Sequence, residues 1–435
     1  MIVRARGGRW IPLDIFAAAQ FFHAFSWIAL GVLALRGYAP GTIPFLGWVH
    51  AVALGWLSLA ALAVLFHVIH AFADVAWRWE IAARTSTRAF AVAVLVLIIG
   101  FFLTSTALIE WGAIGTLLAL VGYMIPASAT LLIAFRSDRR RASIARALML
   151  TLGFFLVTAI LGTLFALALS GRISSVVLAR WPYVHAVIGI SAWLSLLVFG
   201  VSTRTIRAIT GIPSRAPMLH IIVGTLFAAG ALVALSTILK MSSIAIWVSA
   251  ACLSAGAFLY AGDMGDILRR RTLPNPIPQA FFGAADFWLV IATCLGIGTV
   301  LGYPWQSTFL YVALIGWLGQ AVNAHVFHIG VRLLTTFLRG DDDETRPWTL
   351  VNAPLGWSAC ASFQLAVGIG AVGIAQSRAA WIVIASALGF LGWTLTIASG
   401  IRIYAAIVAA RPALNFGGGS RDAQVDRAGA EGDTE

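Results

Sequence analysis

Residues 45–71 read FLGWVHAVALGWLSLAALAVLFHVIHA, 27 positions without one Asp, Glu, Lys or Arg. As a helix rising about 1.5 Å per residue the run spans roughly 40 Å, more than the roughly 30 Å of a bilayer's hydrocarbon core. A soluble domain has no place for such a segment, and this chain repeats it. Twelve apolar runs occur, at residues 11–35, 45–71, 88–109, 112–135, 146–170, 181–203, 216–238, 243–268, 280–302, 306–333, 351–375 and 379–409. Composition agrees: of 435 residues, 60% are hydrophobic and 11% charged, against roughly 25% charged in ordinary soluble domains. The spans predict an all-α polytopic membrane protein with one transmembrane domain over residues 1–411. Residues 412–435, with Gly417 to Gly419 and several acids, read as a disordered cytoplasmic tail.

A net charge of +12 would suit a nucleic-acid binder if the cations clustered, but they sit at the ends of the apolar runs. With the N-terminus inside, 24 of the 29 basic residues fall on the cytoplasmic side, among them Arg84, Arg88, Arg139 to Arg141 and Arg269 to Arg271. Arg36, Arg172, Arg180, Lys240 and Arg378 remain outside. This is the positive-inside asymmetry of a multi-pass inner-membrane protein with both termini cytoplasmic. The charge describes orientation, so no nucleic-acid partner is expected and membrane lipid is. Cys252, Cys294 and Cys360 fall inside spans without CxxC spacing and read as small buried thiols. The acidic run Asp341 to Glu344 reads as a solvated loop.

A repeat runs through the spans. Gly55-Trp56-Leu57, Ala192-Trp193-Leu194 and Gly316-Trp317-Leu318 lie in spans 2, 6 and 10, and eleven residues after each tryptophan come His67, Arg204 and His328. The recurrence every four spans predicts three pseudo-symmetric four-helix units, with spans 2, 6 and 10 in equivalent places.

All eight histidines, at 23, 50, 67, 70, 185, 220, 325 and 328, fall within spans. Ionisable side chains are costly in hydrocarbon and usually face the bundle interior, which makes them functional candidates. Orientation sorts them into two layers. His50 and His185 stand near the outer face. His67, His70, His220, His325 and His328 stand near the inner face. His67 with His70, and His325 with His328, share helix faces at i, i+3, a spacing that suits a metal or the edge of a haem. The alternative for these inner residues is hydrogen bonding to headgroups or loop carbonyls. His23, in the middle of span 1, reads as a packing or hydrogen-bonding residue. Asp14, Asp74, Asp263, Asp266 and Asp286 gather at the inner end, either pairing with cations or serving proton uptake. There is no Walker A loop, HExxH, GxSxG elbow or dinucleotide fingerprint after a strand.

Twelve spans, threefold repetition and histidines on spans 2, 6, 7 and 10 resemble the catalytic subunit of the haem–copper oxidase superfamily. Trp48-Val-His50-Ala-Val-Ala-Leu-Gly55-Trp56-Leu57, Tyr183-Val-His185-Ala-Val-Ile-Gly189, Val201-Ser-Thr203-Arg204 and Thr210-Gly211 are similar to the helix pattern of the NnrS haem- and copper-binding membrane family. The resemblance implies haem b, with copper beside it, as cofactors. It implies that His50 ligates low-spin haem and His185 copper. His67 and His328 would then approach a haem, and His70, His220 and His325 a metal. The superfamily's paired histidines after span 7 and in the outer part of span 10 have no counterpart; His220 stands alone, and Gln306 and Tyr311 occupy the second region. The expectation is therefore a haem-binding protein with redox or nitric-oxide chemistry, not a conventional dioxygen-reducing centre, with its electron donor unassigned. A secondary transporter using the inner His/Asp cluster for a proton- or metal-coupled substrate is the alternative, and a ligand-poor assembly factor a third.

Overall fold

The structure, a computed structural model, describes residues 12–137, 139–174, 176–213, 217–238, 242–339 and 347–409. Among these there is no strand, and twelve helices are long and apolar enough to cross a membrane. They are α1 (Leu13–Leu35), α2 (Ile43–Ala73), α3 (Glu80–Phe102), α4 (Thr106–Phe135), α5 (Arg141–Leu169) and α6 (Pro182–Thr210). The second half comprises α7 (Met218–Ser236), α8 (Ser243–Arg269), α9 (Pro276–Val300), α10 (Gln306–Thr335), α11 (Ala353–Ala375) and α12 (Ala379–Ala409). They match the twelve apolar runs one for one. Lys240, the acidic run Asp341 to Glu344 and the tail 412–435 lie outside the described residues.

Local chemistry sets the helix ends. A helix start leaves backbone N–H groups without partners. Asn352 Oδ1 accepts the Leu355 amide at 3.0 Å at the start of α11, and the Ser105 and Ser242 hydroxyls do the same for α4 and α8. Pro44 and Pro276 occupy the first turns of α2 and α9, where a missing N–H removes no helical bond. At the end of α6, Gly211 adopts φ +79° and its amide donates to the Arg207 carbonyl at 2.8 Å. Only glycine takes that left-handed conformation without strain.

Helices α2, α6 and α10 form the centre of the bundle. Their most apolar stretches are 72%, 67% and 72% buried, against 22–61% for the other nine. Each contains an eight-residue π-helical segment, Ala51–Ser58, Ile188–Ser195 and Val312–Gly319. The three align without gaps as AVALGWLS, IGISAWLS and VALIGWLG. The π-helical turn is rare and concentrates at functional sites; three in matching positions mark the repeat as structural.

The tryptophans in these segments link the central helices around a pseudo-threefold axis. Trp193 Nε1 donates to Ser58 Oγ at 2.9 Å, and Trp317 Nε1 donates to Ser195 Oγ at 2.9 Å. The third link is missing, because Gly319 occupies the position of the two serines and Trp56 Nε1 is buried without a partner. A Cβ at residue 319 would stand 2.9 Å from Trp56 Cη2, so the indole fills the space that a serine would need.

The outer helices complete three units. α3, α4 and α5 pack in sequence and precede α6; α7, α8 and α9 do the same before α10. The remaining unit is closed by α11, α12 and α1, with α12 packed on α1, so both ends of the chain contribute to the unit that ends in α2. Close approach there depends on Gly389, where an added Cβ would overlap the indole of Trp27. Most acids at the arginine-rich end are paired: Asp14 with Arg88 at 2.6 Å, Asp266 with Arg270 at 2.5 Å, and Asp74 with Arg141. Asp263 lies 3.7 Å from His220 Nε2. The pairing expected for this end is therefore observed for these four.

Candidate functional site

The two histidines furthest from the arginine-rich end meet. His50 closes the α-helical first part of α2, directly before the π-helical segment, and His185 lies three residues after Pro182 at the start of α6. Their ring centroids are 6.2 Å apart, with 25° between the ring planes. His50 Nδ1 lies 2.8 Å from the Leu46 carbonyl, and His185 Nδ1 lies 3.0 Å from the Thr158 carbonyl on α5. A carbonyl can only accept, so each Nδ1 carries the ring proton and each Nε2 keeps its lone pair. Neither Nε2 has a hydrogen-bond partner among the described residues.

Three neighbours shape this pair. Phe101 on α3 stacks on His50 with centroids 4.8 Å apart, and Phe165 on α5 meets His185 edge-on at 6.0 Å. Gly162, one turn after Thr158, leaves the space in which His185 sits; a Cβ there would be 3.0 Å from His185 Cε1. The pair thus has an apolar surround, two fixed ring orientations and two unused nitrogen donors. Metal-ligating histidines commonly tie their other ring N–H to a carbonyl or carboxylate, which sets both tautomer and orientation. None of Leu46, Thr158, Phe101, Gly162 and Phe165 carries a sequence signal, since each acts through a backbone carbonyl, a ring face or the lack of a side chain.

The histidines at the arginine-rich end behave differently. His325 has both ring nitrogens engaged, Nδ1 with the Ala321 carbonyl at 2.8 Å and Nε2 with Thr205 Oγ1 at 3.1 Å. His328 Nδ1 lies 3.3 Å from Asn275 Nδ2, and His70 Nδ1 lies 3.2 Å from the Val75 carbonyl. His67 is half-buried on α2, and His220 is paired with Asp263 on α8. Among the described residues, no three His, Cys, Asp or Glu side chains are grouped to hold one metal ion. The i, i+3 pairs His67/His70 and His325/His328 therefore remain on their own helices, and hydrogen bonds within the protein occupy much of their capacity.

His23 is 1% exposed and lies flat on Trp56, with centroids 3.5 Å apart and 7° between the planes. Both its ring nitrogens are buried without a hydrogen-bond partner. It stacks on the tryptophan whose serine partner is missing, which is the packing role expected of it. A separate polar cluster lies between α6, α8 and α9, where Ser202, Asp263 and Asp286 surround the Tyr260 hydroxyl. Tyr260 Oη, Ser202 Oγ and Asp286 Oδ1 are all buried there.

No family model matches the chain, and no curated protein matches it.

Proposed function

We propose that this protein is a redox haem protein of the cytoplasmic membrane, with His50 and His185 as the ligands of a b-type haem. One observation carries the reading: two half-buried imidazoles from different helices, 6.2 Å apart, each with its Nδ1–H held by a carbonyl and its Nε2 unused. Two imidazoles that each reach one ion through a bond of about 2.0–2.1 Å can have ring centres on the order of 6 Å apart, so the observed spacing fits a shared metal. Two imidazoles alone leave a zinc ion short of its usual four ligands. They suffice for a haem iron, whose porphyrin brings its own four nitrogens, and equally for a linear copper(I) ion.

A haem held there supplies a one-electron couple. The protein's own contribution is positional. The Leu46 and Thr158 carbonyls hold the Nδ1 protons and so present Nε2 as the donor on both rings. Phe101 and Phe165 give the two rings apolar contacts, and the polarity around a site changes a metal's potential. Gly162 preserves the room that His185 occupies. The resemblance to the NnrS family supports haem at His50, while it assigns His185 to copper; the 6.2 Å separation of the two rings is what favours one shared site.

The test is an absorbance spectrum, a pyridine haemochrome assay and metal analysis on the detergent-purified chain. Near-stoichiometric haem b, lost in both His50→Ala and His185→Ala and retained in His67→Ala, His70→Ala and His328→Ala, is the expected outcome. A folded wild-type protein that takes up neither haem nor copper would overturn it. The second reading, proton- or cation-coupled transport, is supported by the buried Tyr260, Ser202 and Asp286 oxygens beside the His220–Asp263 pair. Cation-dependent uptake in vesicles that is lost in Asp286→Asn would favour it.

A further inference from the structure

A cavity of about 470 Å³ opens between α1, α2, α6, α10 and α12 in the half of the bundle nearer the arginine-rich end. That volume falls in the range of roughly 300–1,000 Å³ typical of small-molecule sites. Its rim carries the exposed side chains of Leu13, Ile401 and Tyr404, on the outer faces of α1 and α12, so it is open at the apolar surface of the bundle. Its wall is almost wholly aliphatic and aromatic, and no Arg, Lys, Asp or Glu lines it among the described residues.

One wall residue is chemically out of place. Gln20 on α1 is 9% exposed, faces the cavity, and makes no hydrogen bond among the described residues. A buried amide without a partner costs free energy, and here the volume beside it is where a partner would sit. Of the other polar side chains, Tyr404 stands at the exposed rim, and His325 and Thr396 are already engaged. His325 has both nitrogens bonded, and Thr396 Oγ1 donates to the Gly392 carbonyl at 2.9 Å.

We propose that this cavity binds the head of a neutral, membrane-soluble carbonyl compound of the isoprenoid quinone class, with the Gln20 amide donating to a ring carbonyl. The chemistry favours this occupant. A phospholipid headgroup needs a cation for its phosphate, and the wall has none. A quinone head is uncharged, flat and rich in acceptors, and suits one amide donor in a wall that includes Phe16 and Phe327. The rim between α1 and α12 leaves an exit for an isoprenoid tail into lipid. The site is separate from the His50–His185 pair and does not depend on it.

The test uses the full-length chain in detergent and a short-tailed azido-quinone as photolabel, with peptides mapped by mass spectrometry. Saturable labelling of α1 or α12 segments, suppressed by excess unlabelled quinone, is expected. Gln20→Leu should raise the half-saturating concentration by about tenfold, the loss of one buried hydrogen bond. Gly400 lines the cavity and a Cβ there meets open space, so Gly400→Phe should fill the cavity and abolish labelling. Gly400→Leu is the smaller substitute should the phenylalanine prevent folding, and monodisperse elution establishes folding for every variant. Labelling that does not saturate, that is equal in the wild type and both variants, or that a phospholipid or sterol suppresses as well as quinone does would overturn the proposal. The readout involves neither haem nor metal, so repeating it on His50→Ala separates its failure from failure of the haem reading.

Discussion

Replacing Ser195 by alanine removes the acceptor of the Trp317 indole N–H and nothing else of consequence, since the 2.9 Å bond links α6 to α10 at the buried centre of the bundle. Interhelical hydrogen bonds in membrane proteins average about 0.6 kcal/mol and reach about 1.7 kcal/mol. Leaving a buried donor unsatisfied costs roughly 1–3 kcal/mol. Trp317 is 2% exposed and Ser195 2%, so water cannot replace the lost acceptor. The expected destabilisation is therefore about 1–2 kcal/mol. Reversible unfolding in mixed micelles of mild detergent and dodecyl sulfate would measure it. A double-mutant cycle with Trp317→Phe, which deletes the donor, isolates the link as a coupling energy. The same cycle on Ser58 and Trp193 should give a similar coupling, because the geometry repeats. The third position supplies a built-in contrast: Gly319→Ser adds a hydroxyl near the unpartnered Trp56 N–H but places its Cβ in the volume of the indole, so it should destabilise. Zero coupling in both serine–tryptophan cycles would refute the threefold hydrogen-bonded centre.

Gly162→Ala should displace the His185 ring, whose Cε1 lies 3.0 Å from the new Cβ, and lower haem or metal content at little cost in stability; metal analysis beside an unfolding curve checks both. His23→Phe should leave stability unchanged or raise it, because the flat stack on Trp56 persists while two buried, unpartnered nitrogens disappear. Asp14→Asn should cost less than about 1 kcal/mol, since the Asp14–Arg88 pair is half exposed and such pairs are weak. Gly389→Ala, by contrast, should cost about 1–3 kcal/mol through overpacking against Trp27, and a cost below that of Asp14→Asn would count against the close α1–α12 contact.

The limits of sequence reading are clearest in α2. The 27-residue apolar run and the Trp56 motif were enough to expect a membrane helix and a threefold repeat, and the π-helical segments fall on that motif in all three copies. Ser58 and Ser195 lie two residues after their tryptophans, yet their role as acceptors is invisible in one dimension because each bond crosses to another helix. The histidines divide in the same way. His50 stands six residues before Trp56 and His185 eight before Trp193, so the two are out of register within the repeat. They nevertheless face each other, through helix rotation and through Gly162, which has no pattern of its own. The arginine-rich-end pairs look equally favourable on a helical wheel, but Thr205, Asn275 and loop carbonyls reach them from other elements.

Burial of apolar residues in hydrocarbon is decided within about 20 consecutive positions, and the cost of a misplaced charge is paid locally. Twelve spans, an all-helical membrane fold and the equivalence of α2, α6 and α10 are therefore properties of the sequence alone. Which side chains meet depends on how neighbouring helices rotate about their axes and how closely glycines let them approach. Those quantities arise only when all twelve helices pack, and they decided that His50 joins His185, that Trp56 lacks a serine, and that Gln20 faces an open cavity.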